Sequence, residues 1–600
     1  MKPRLILYIC LGLFFAAAGY VVWKNQAPSQ LHAGDSGSEK EIAAIVSRLS
    51  LAEKIGQMVL VDKNVISSED AGRKTVGAVL SGGGGNPPIN TPDHWYTMVK
   101  AYQEAALGSQ SGIPILYGVD AVHGHGNVEG AVIFPHNIGL GATRDADLVE
   151  ETARITGEEM KATGANWNFA PVLSVPDDMR WGRVYECFGT DIRLVTEMGR
   201  RYQRGIQKAG VLATPKHFIG EGAETWQTSK DYKLDQGDIP QDASVVTNRY
   251  LEPFKQAVEE GAMSIMVSRS SIQGKKVSAD KELLTGVLKD QLGFKGFLVS
   301  DWGAVDQISD DYYDDIATAI NAGMDMVMLP ADYDTFISNI TYAVNNGDIP
   351  QSRIDDAVTR ILRAKQSINL FKAPLLDPYQ GPIVGSDEHR AVARRAVRES
   401  LVLLKNDNQA LPIQQPKKIL VVGRAADDIG MQAGGWTIQW QGTHGDATPG
   451  TSILTAVREQ FSDSEIIYNP MADRADVKKA DVAIVVIGEQ PYAEGAGDRD
   501  SLELSPEDTK RIMKARSSAD KTILLVLAGR PLIITDMLAN VDAAVMAWLP
   551  GTEGGGITDV LSGRENFSGK LPLAWPRSME QVEKRDTSDP LFAYGYGLSY

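Results

Sequence analysis

The feature that most constrains this chain is a recurrence. From about residue 77 to residue 329, short apolar runs rich in β-branched residues alternate with longer amphipathic stretches. Such runs read as strands buried on both faces and the stretches between them as crossover helices, so the chain repeats β-then-α units around a parallel sheet. Seven runs stand out, at 77–81, 115–120, 167–172, 211–217, 264–269, 296–301 and 325–329. Seven fit an α/β fold of the (β/α)8, TIM-like barrel type with one strand weak or lost. Ahead of them, Ser50-Leu51-Ala52-Glu53 has the spacing of a capping box, and Ile55, Met58 and Val59 supply the apolar stripe of a first helix.

Polar residues fall at the ends of these runs. One closes in Asp120, another in Lys216 and His217, a third in Arg269 and a fourth in Asp301. In a parallel barrel every strand C-terminus opens on one face, so these positions converge on one mouth and predict a polar pocket there.

A Pro- and Gly-rich stretch (Pro374, Pro378, Gly381, Pro382, Gly385) marks a boundary, and a second set of buried runs follows at 418–423, 482–488, 523–528 and 543–548, with a helical stretch at 508–515. Too few strands remain for another barrel, so an open sheet with helices on both faces, an α/β sandwich, is expected. The expected division is an export segment and linker over 1–39, the barrel over 40–372, a linker over 373–389 and the sandwich over 390–600. The glycine runs at 82–85 and 554–556 lack dinucleotide or P-loop spacing and read as flexible turns.

The balance of 60 Lys+Arg against 77 Asp+Glu, a formal charge of −17, disfavours phosphate backbones and excludes nucleic acid as the expected partner; a neutral ligand fits better. The two cysteines, Cys10 and Cys187, are too few for a disulfide framework, a Cys-rich zinc site or an iron–sulfur cluster. Cys187 reads as a packing residue near the site wall. The N-terminus is basic at Lys2 and Arg4 and then uncharged from Leu5 to Trp23, between the length of a signal peptide's apolar part and that of a membrane span. Export is expected. Ala16-Ala17-Ala18 offers a cleavage site, whereas Lys24 fits a retained anchor, the one membrane contact expected.

A pocket with several carboxylates, no cysteine and no concentrated histidine suits glycoside hydrolysis, which needs one ionised carboxylate to attack the anomeric carbon and one protonated carboxyl to release the leaving oxygen. Asp301, fixed at a strand end with Trp302 beside it, fits the nucleophile, and Trp302 can pack on a sugar face. Such hydrolysis needs no redox cofactor, and neither a cofactor nor a catalytic metal is expected.

Several motifs then carry a resemblance. Tyr117-Gly118-Val119-Asp120-Ala121-Val122-His123-Gly124, Phe134-Pro135-His136-Asn137, Arg180-Trp181-Gly182-Arg183, Lys216-His217-Phe218, Ser300-Asp301-Trp302 and the closing Phe592-Ala593-Tyr594-Gly595-Tyr596-Gly597-Leu598-Ser599-Tyr600 resemble glycoside hydrolase family 3, in the family's order and across nearly all of the chain from about residue 40. The likeness is to two-domain β-glucosidases and exo-β-glucanases that pair a barrel with an α/β sandwich. It implies a retaining exo-enzyme releasing glucose from the non-reducing ends of β-glucan oligosaccharides. Asp301 matches the family nucleophile; Asp120, Arg183, Lys216 and His217 match residues that bind hydroxyls of the terminal sugar. Trp302 and Trp440 resemble the aromatic pair around the next sugar, whereas Trp436 reads as core packing. In this family the proton donor comes from a loop of the second domain, here 488–495, where Glu494 matches the donor of the exo-glucanase group and Glu489 is the runner-up. The two catalytic carboxyls are expected to approach to roughly 5–6 Å with substrate bound.

One departure stands out. The family's glucanases commonly carry a tyrosine where this chain has Arg269. A cation there can lower the Asp301 pKa, recognise a modified substrate or pair with a structural carboxylate. The His/Asp loop dyad of the family's N-acetylglucosaminidases is missing after His217, where Gly220-Glu221-Gly222-Ala223-Glu224 runs instead. The alternatives are a β-xylosidase or β-N-acetylglucosaminidase on the same fold, or a non-catalytic saccharide-binding protein.

Overall fold

The computed structural model describes residues 36–375, 383–473 and 479–600. The expected export segment, with its cleavage-or-anchor alternatives, and the boundary residues Pro378, Gly381 and Pro382 lie outside these residues. No helix among the described residues is long and apolar enough to cross a membrane.

Eight parallel strands form the barrel among the described residues: Val59–Asp62, Ala78–Ser81, Leu116–Val119, Trp167–Asn168, Leu212–Ala213, Ser264–Val267, Phe297–Ser300 and Val327–Leu329. Six of them make one sheet in which Val59–Asp62 lies between Val327–Leu329 and Ala78–Ser81. Single parallel bridges, Phe218 to Val267 and Val299 to Met326, link this sheet to the remaining pair and carry the ladder around the ring. The first helix begins as expected, with both capping-box bonds of Ser50 and Glu53 made. It stops at Gln57, however, and Val59 opens the first barrel strand, the one missing from the seven expected, instead of continuing the helical stripe. The four residues of that strand are all buried, and a run so short carries no period that separates strand from helix.

The second unit is a six-stranded sheet in the order Val402–Asn406, Ala543–Met546, Ala519–Leu527, Ala480–Gly488, Lys418–Val422, Glu465–Tyr468. All neighbours are parallel except the first pair. The two edge strands were not expected from the sequence; Glu465–Tyr468 is only half buried and lacks the continuous apolar run that marks the central strands. Alternate residues of the central strand serve different cores. Val482, Ile484 and Val486 belong to a core of the sandwich itself, whereas Ala483, Val485 and Ile487 join the core continuous with the barrel. The sheet is therefore buried on both faces, one of them on the core shared with the barrel.

Candidate active site

The strand ends do converge. Asp301 follows Phe297–Ser300 and is 8 % exposed. Its Oδ1 accepts the Trp302 backbone N–H at 2.6 Å, and its Oδ2 faces His217 Nε2 at 3.6 Å. Burial acts to raise its pKa, but His217, Arg269, Arg183 and the Trp302 N–H together outweigh burial and hold the carboxyl below the usual aspartate value. Lys216 Nζ donates to Asp120 Oδ1 at 2.9 Å, which opposes the upward push of burial on Asp120. Arg183 is almost wholly buried; its Nη2 donates to Glu186 at 2.9 Å.

The His217 imidazole is kept well below its ordinary pKa by burial and by Arg183, so it is neutral and reaches Asp301 as an N–H dipole. Its Nδ1 meets Glu221, which burial raises to about 7 and which also accepts from Ser174 at 3.1 Å. A proton on Glu221, donated to Nδ1, leaves the Nε2–H directed at Asp301.

Glu494 comes from the loop after Ala480–Gly488 and reaches this mouth, where its Oε1 accepts from Arg183 Nη1 at 3.3 Å. Burial, with added repulsion from Asp235 and Asp301, outweighs Arg183 and raises its carboxyl to about 8. Two devices dock the loop. Asp498 accepts four backbone N–H groups of the barrel side, from Gly182 at 2.8 Å, Lys233 at 3.2 Å, Leu234 at 2.7 Å and Asp235 at 2.9 Å. Arg530 donates to Arg180 O at 2.8 Å, Trp181 O at 3.0 Å and Gly497 O at 2.6 Å. The approach is close enough that a Cβ on Gly182 would lie 1.9 Å from the Glu494 carbonyl oxygen. Glu494 itself has φ +53°, a left-handed conformation that costs a non-glycine residue on the order of 1 kcal/mol and that the docked loop sustains.

Glu489, five positions earlier in the same loop, has a different environment. Its Oε1 accepts from Arg530 Nη2 at 3.0 Å and Arg499 Nη1 at 3.0 Å, and Tyr492 donates to its Oε2 at 2.8 Å. Against burial, these two guanidinium groups and the tyrosine hold Glu489 below the usual glutamate value. Its carboxylate is ionised and committed to the base of the loop.

Trp302 is 38 % exposed and Trp440 is half-buried. The glycine run at 82–85, expected to be flexible, touches both at its first two residues: a Cβ on Gly83 would sit 2.3 Å from Trp440 Cα, and one on Gly82 would sit 4.0 Å from Trp302 Cζ3. Trp436 is buried, in keeping with core packing, and Lys216 Nζ lies 5.5 Å from its ring centre. Arg269 is partly buried and makes no ion pair with a described residue, so a structural carboxylate partner for it is absent among them. Cys187 is buried, with its thiol against Arg183 O at 3.6 Å and its pKa pushed well up by burial, which keeps it unreactive. No group of His, Cys, Asp and Glu among the described residues has a metal-binding arrangement.

Comparison with known proteins bears on what this geometry is for. Residues 50–364 match the model for the glycosyl hydrolase family 3 N terminal domain, and residues 401–600 match that for the family's C-terminal domain. The chain belongs to glycosyl hydrolase family 3. It is 32 % identical to the lysosomal beta glucosidase of Dictyostelium discoideum, over 93 % of this chain and 75 % of that protein. It is 29 % identical to the periplasmic beta-glucosidase of Salmonella typhimurium, over 93 % and 80 %. Among solved structures, the exo-1,3/1,4-beta-glucanase from a Pseudoalteromonas species is 37 % identical with a TM-score of 0.89, covering 96 % of this chain and 76 % of that one. The fold is accordingly the TIM-like barrel plus α/β sandwich, and the chain is a glycoside hydrolase.

In this family 3 site the structure brings Asp120, Arg183, Lys216, His217, Asp301 and Glu494 to one mouth, with Arg269, Trp302 and Trp440 at its rim, and leaves Glu489 behind the loop. Sequence reasoning missed Glu186, Glu221, Asp498 and Arg530 as supports. Asp498 carries no local signal, because its partners are backbone N–H groups more than 260 residues away along the chain.

Proposed function

We propose that this family 3 chain is a retaining, exo-acting β-glucosidase or β-glucan exohydrolase in which Asp301 is the nucleophile and Glu494 the acid/base. Asp301 attacks the anomeric carbon as its bond to the leaving oxygen breaks, and the proton of Glu494 passes to that oxygen. Glu494, now ionised, takes a proton from water, whose oxygen displaces Asp301 and releases the sugar with its β-configuration retained. The observation that carries the reading is the opposed displacement of the two carboxyls, Asp301 downward and Glu494 up to about 8, within one mouth. Asp120, Lys216, His217 and Arg183 supply charged and polar partners for hydroxyls of the terminal sugar, which a wrong epimer would leave unpaired. Trp302 and Trp440 supply the faces for the next sugar. A β-glucan oligosaccharide as substrate is supported by the names of the relatives, and action outside the cytoplasm by the charged-then-apolar N-terminus together with the periplasmic relative.

The test is the product profile on laminari- and cello-oligosaccharides. Glucose is expected as the first product, released from the non-reducing end and first seen as the β-anomer by NMR. A strong preference for xylosides or N-acetylglucosaminides, or initial release of the α-anomer, would sink the reading.

A further inference from the structure

The acidic chain keeps one stretch of the site rim positive and unpaired. Arg269 follows the barrel strand Ser264–Val267, and Lys276 returns to it from the short hairpin formed by Ser271–Ile272 and Lys275–Lys276. Lys276 Nζ donates to Arg269 O at 2.7 Å and to Gln307 Oε1 at 3.4 Å, in the segment that runs on from Asp301 and Trp302. Neither cation makes an ion pair with a described residue, and Arg269 Nε is buried without any hydrogen-bond partner. Asp231 and Asp238 act on Lys276, and Asp306 feels Arg269, all without making an ion pair. The contrast within the same site is sharp. Arg183 is paired with Glu186 and Glu494, and Arg530 with Glu489. In a chain with 77 carboxylates for 60 bases, a partly desolvated guanidinium left without one indicates that its partner comes from outside the chain.

The position says which part of a substrate it meets. Arg269 acts on Asp301 and also on Tyr232, and the Tyr232 ring is the surface against which Gly495, next to Glu494, is packed. Val267 pairs with Ser300, so the strand ends that carry Arg269 and Asp301–Trp302 leave the barrel side by side, and Lys276 bonds Gln307 in the segment after Trp302. The two cations therefore border the Trp302 wall of the cleft, the proposed face for the sugar beyond the scissile bond.

We propose that Arg269 and Lys276 form an anion-recognition site on the leaving-group side of the cleft, so that the preferred substrate is a β-glucoside whose aglycone, a sugar or an aromatic ring, carries a carboxylate or a sulfo group. A guanidinium offers two parallel donors to either group, and the ammonium adds a second charge. The proposal rests on the reading that Asp301 and Glu494 flank the scissile bond.

The test compares kcat/KM for 4-carboxyphenyl and 4-sulfophenyl β-glucosides with that for the neutral 4-carbamoylphenyl β-glucoside. The wild-type enzyme is expected to favour at least one anionic probe on the order of tenfold, with the advantage shrinking as NaCl is raised; which probe gains more distinguishes an acidic from a sulfated aglycone. Arg269→Gln and Lys276→Gln should each reduce the anionic-to-neutral ratio, a quantity that cancels any general effect of the variant on turnover. The same ratio, read as dissociation constants by calorimetry in an Asp301→Ala protein, tests the site without turnover. Failure to hydrolyse every probe would overturn the β-glucosidase reading while the binding ratio still decides this one. A ratio near one in wild type, or a ratio that both variants retain, overturns the proposal.

Discussion

The barrel mouth and the sandwich loop supply the two carboxyls of the site in physically different ways. Asp301 takes its place from the last residue of the strand before it, and its low pKa from neighbouring strand ends that share the same mouth. Glu494 has no such frame. It is placed by Asp498 and Arg530, which tie the loop to backbone groups of a distant part of the chain, and it holds a left-handed conformation to do so. Barrel geometry is thus local and repeated, whereas loop geometry is assembled once, by contacts between domains. The second kind should be easier to break without unfolding the protein.

The largest expected effect is at the barrel. Asp301→Ala should lower turnover of an aryl β-glucoside by about 10⁴-fold or more while glucose binding, measured by calorimetry, is largely kept. Appreciable residual turnover would move the nucleophile elsewhere.

The loop comes next, as a contrast between two glutamates. Glu494→Ala should cost about 10²–10⁴-fold on substrates with poor leaving groups, spare those with good ones and be rescued by azide, an external nucleophile that needs no base. Glu489→Ala should instead strand Arg530 without its carboxylate and destabilise the protein by about 3–5 kcal/mol in denaturant titrations, with no azide rescue. The opposite pattern of rescue would exchange their roles.

Asp498→Ala removes the clamp while leaving both carboxyls, Asp301 and Glu494, in the chain. It should lower kcat on poor-leaving-group substrates by about 10²-fold, the effect of a displacement near 1 Å, and leave an Asp301-dependent burst on activated aryl glucosides. Equal loss on both substrate classes would mean that the clamp supports the barrel as well.

The pH profile of kcat/KM should fall on both sides for separate reasons. Glu494 must be protonated to act as acid, so activity is lost as pH rises through about 8. Asp301 must be ionised, and because its pKa is lowered, the acid limb should lie below the ordinary aspartate value of 3.8. Arg269→Gln removes one of the charges that lower it, so that limb should move upward. A limb that stays put would show that Arg269 does not act on Asp301.

The smallest effect is expected at the rim. Trp440→Ala should raise KM for oligosaccharides by a few-fold, about 0.5–1.5 kcal/mol of stacking, and leave single-sugar aryl glycosides nearly unchanged.

Much of this was legible in the chain because barrel strands announce themselves twice, by an apolar β-branched run and by the polar residue that ends it. Asp120, Lys216, His217 and Asp301 were found that way. The strand Val59–Asp62 was not, since it is four residues long and follows a helix after a single intervening residue. The edge strand Glu465–Tyr468 was missed because it lacks the continuous apolar run of the central strands. Of the glycines at 82–85, read as a flexible turn, Gly83 lies against the Trp440 backbone, whereas Gly84 has open space around it.

The sequence by itself determined the fold class, the family and the convergence of the strand-end groups, because periodicity and strand polarity are local properties that a parallel barrel turns into a common mouth. It placed both Glu489 and Glu494 on one loop and preferred Glu494 only through the family resemblance, with no physical ground in the chain for the choice. Their difference is electrostatic and arises from partners that only the folded chain brings together. Arg530 and Arg499 keep Glu489 ionised, whereas burial against the barrel, with Asp301 and Asp235 nearby, raises Glu494. The sandwich domain's own guanidinium groups settle Glu489, and only the docking of its loop on the barrel raises the Glu494 carboxyl.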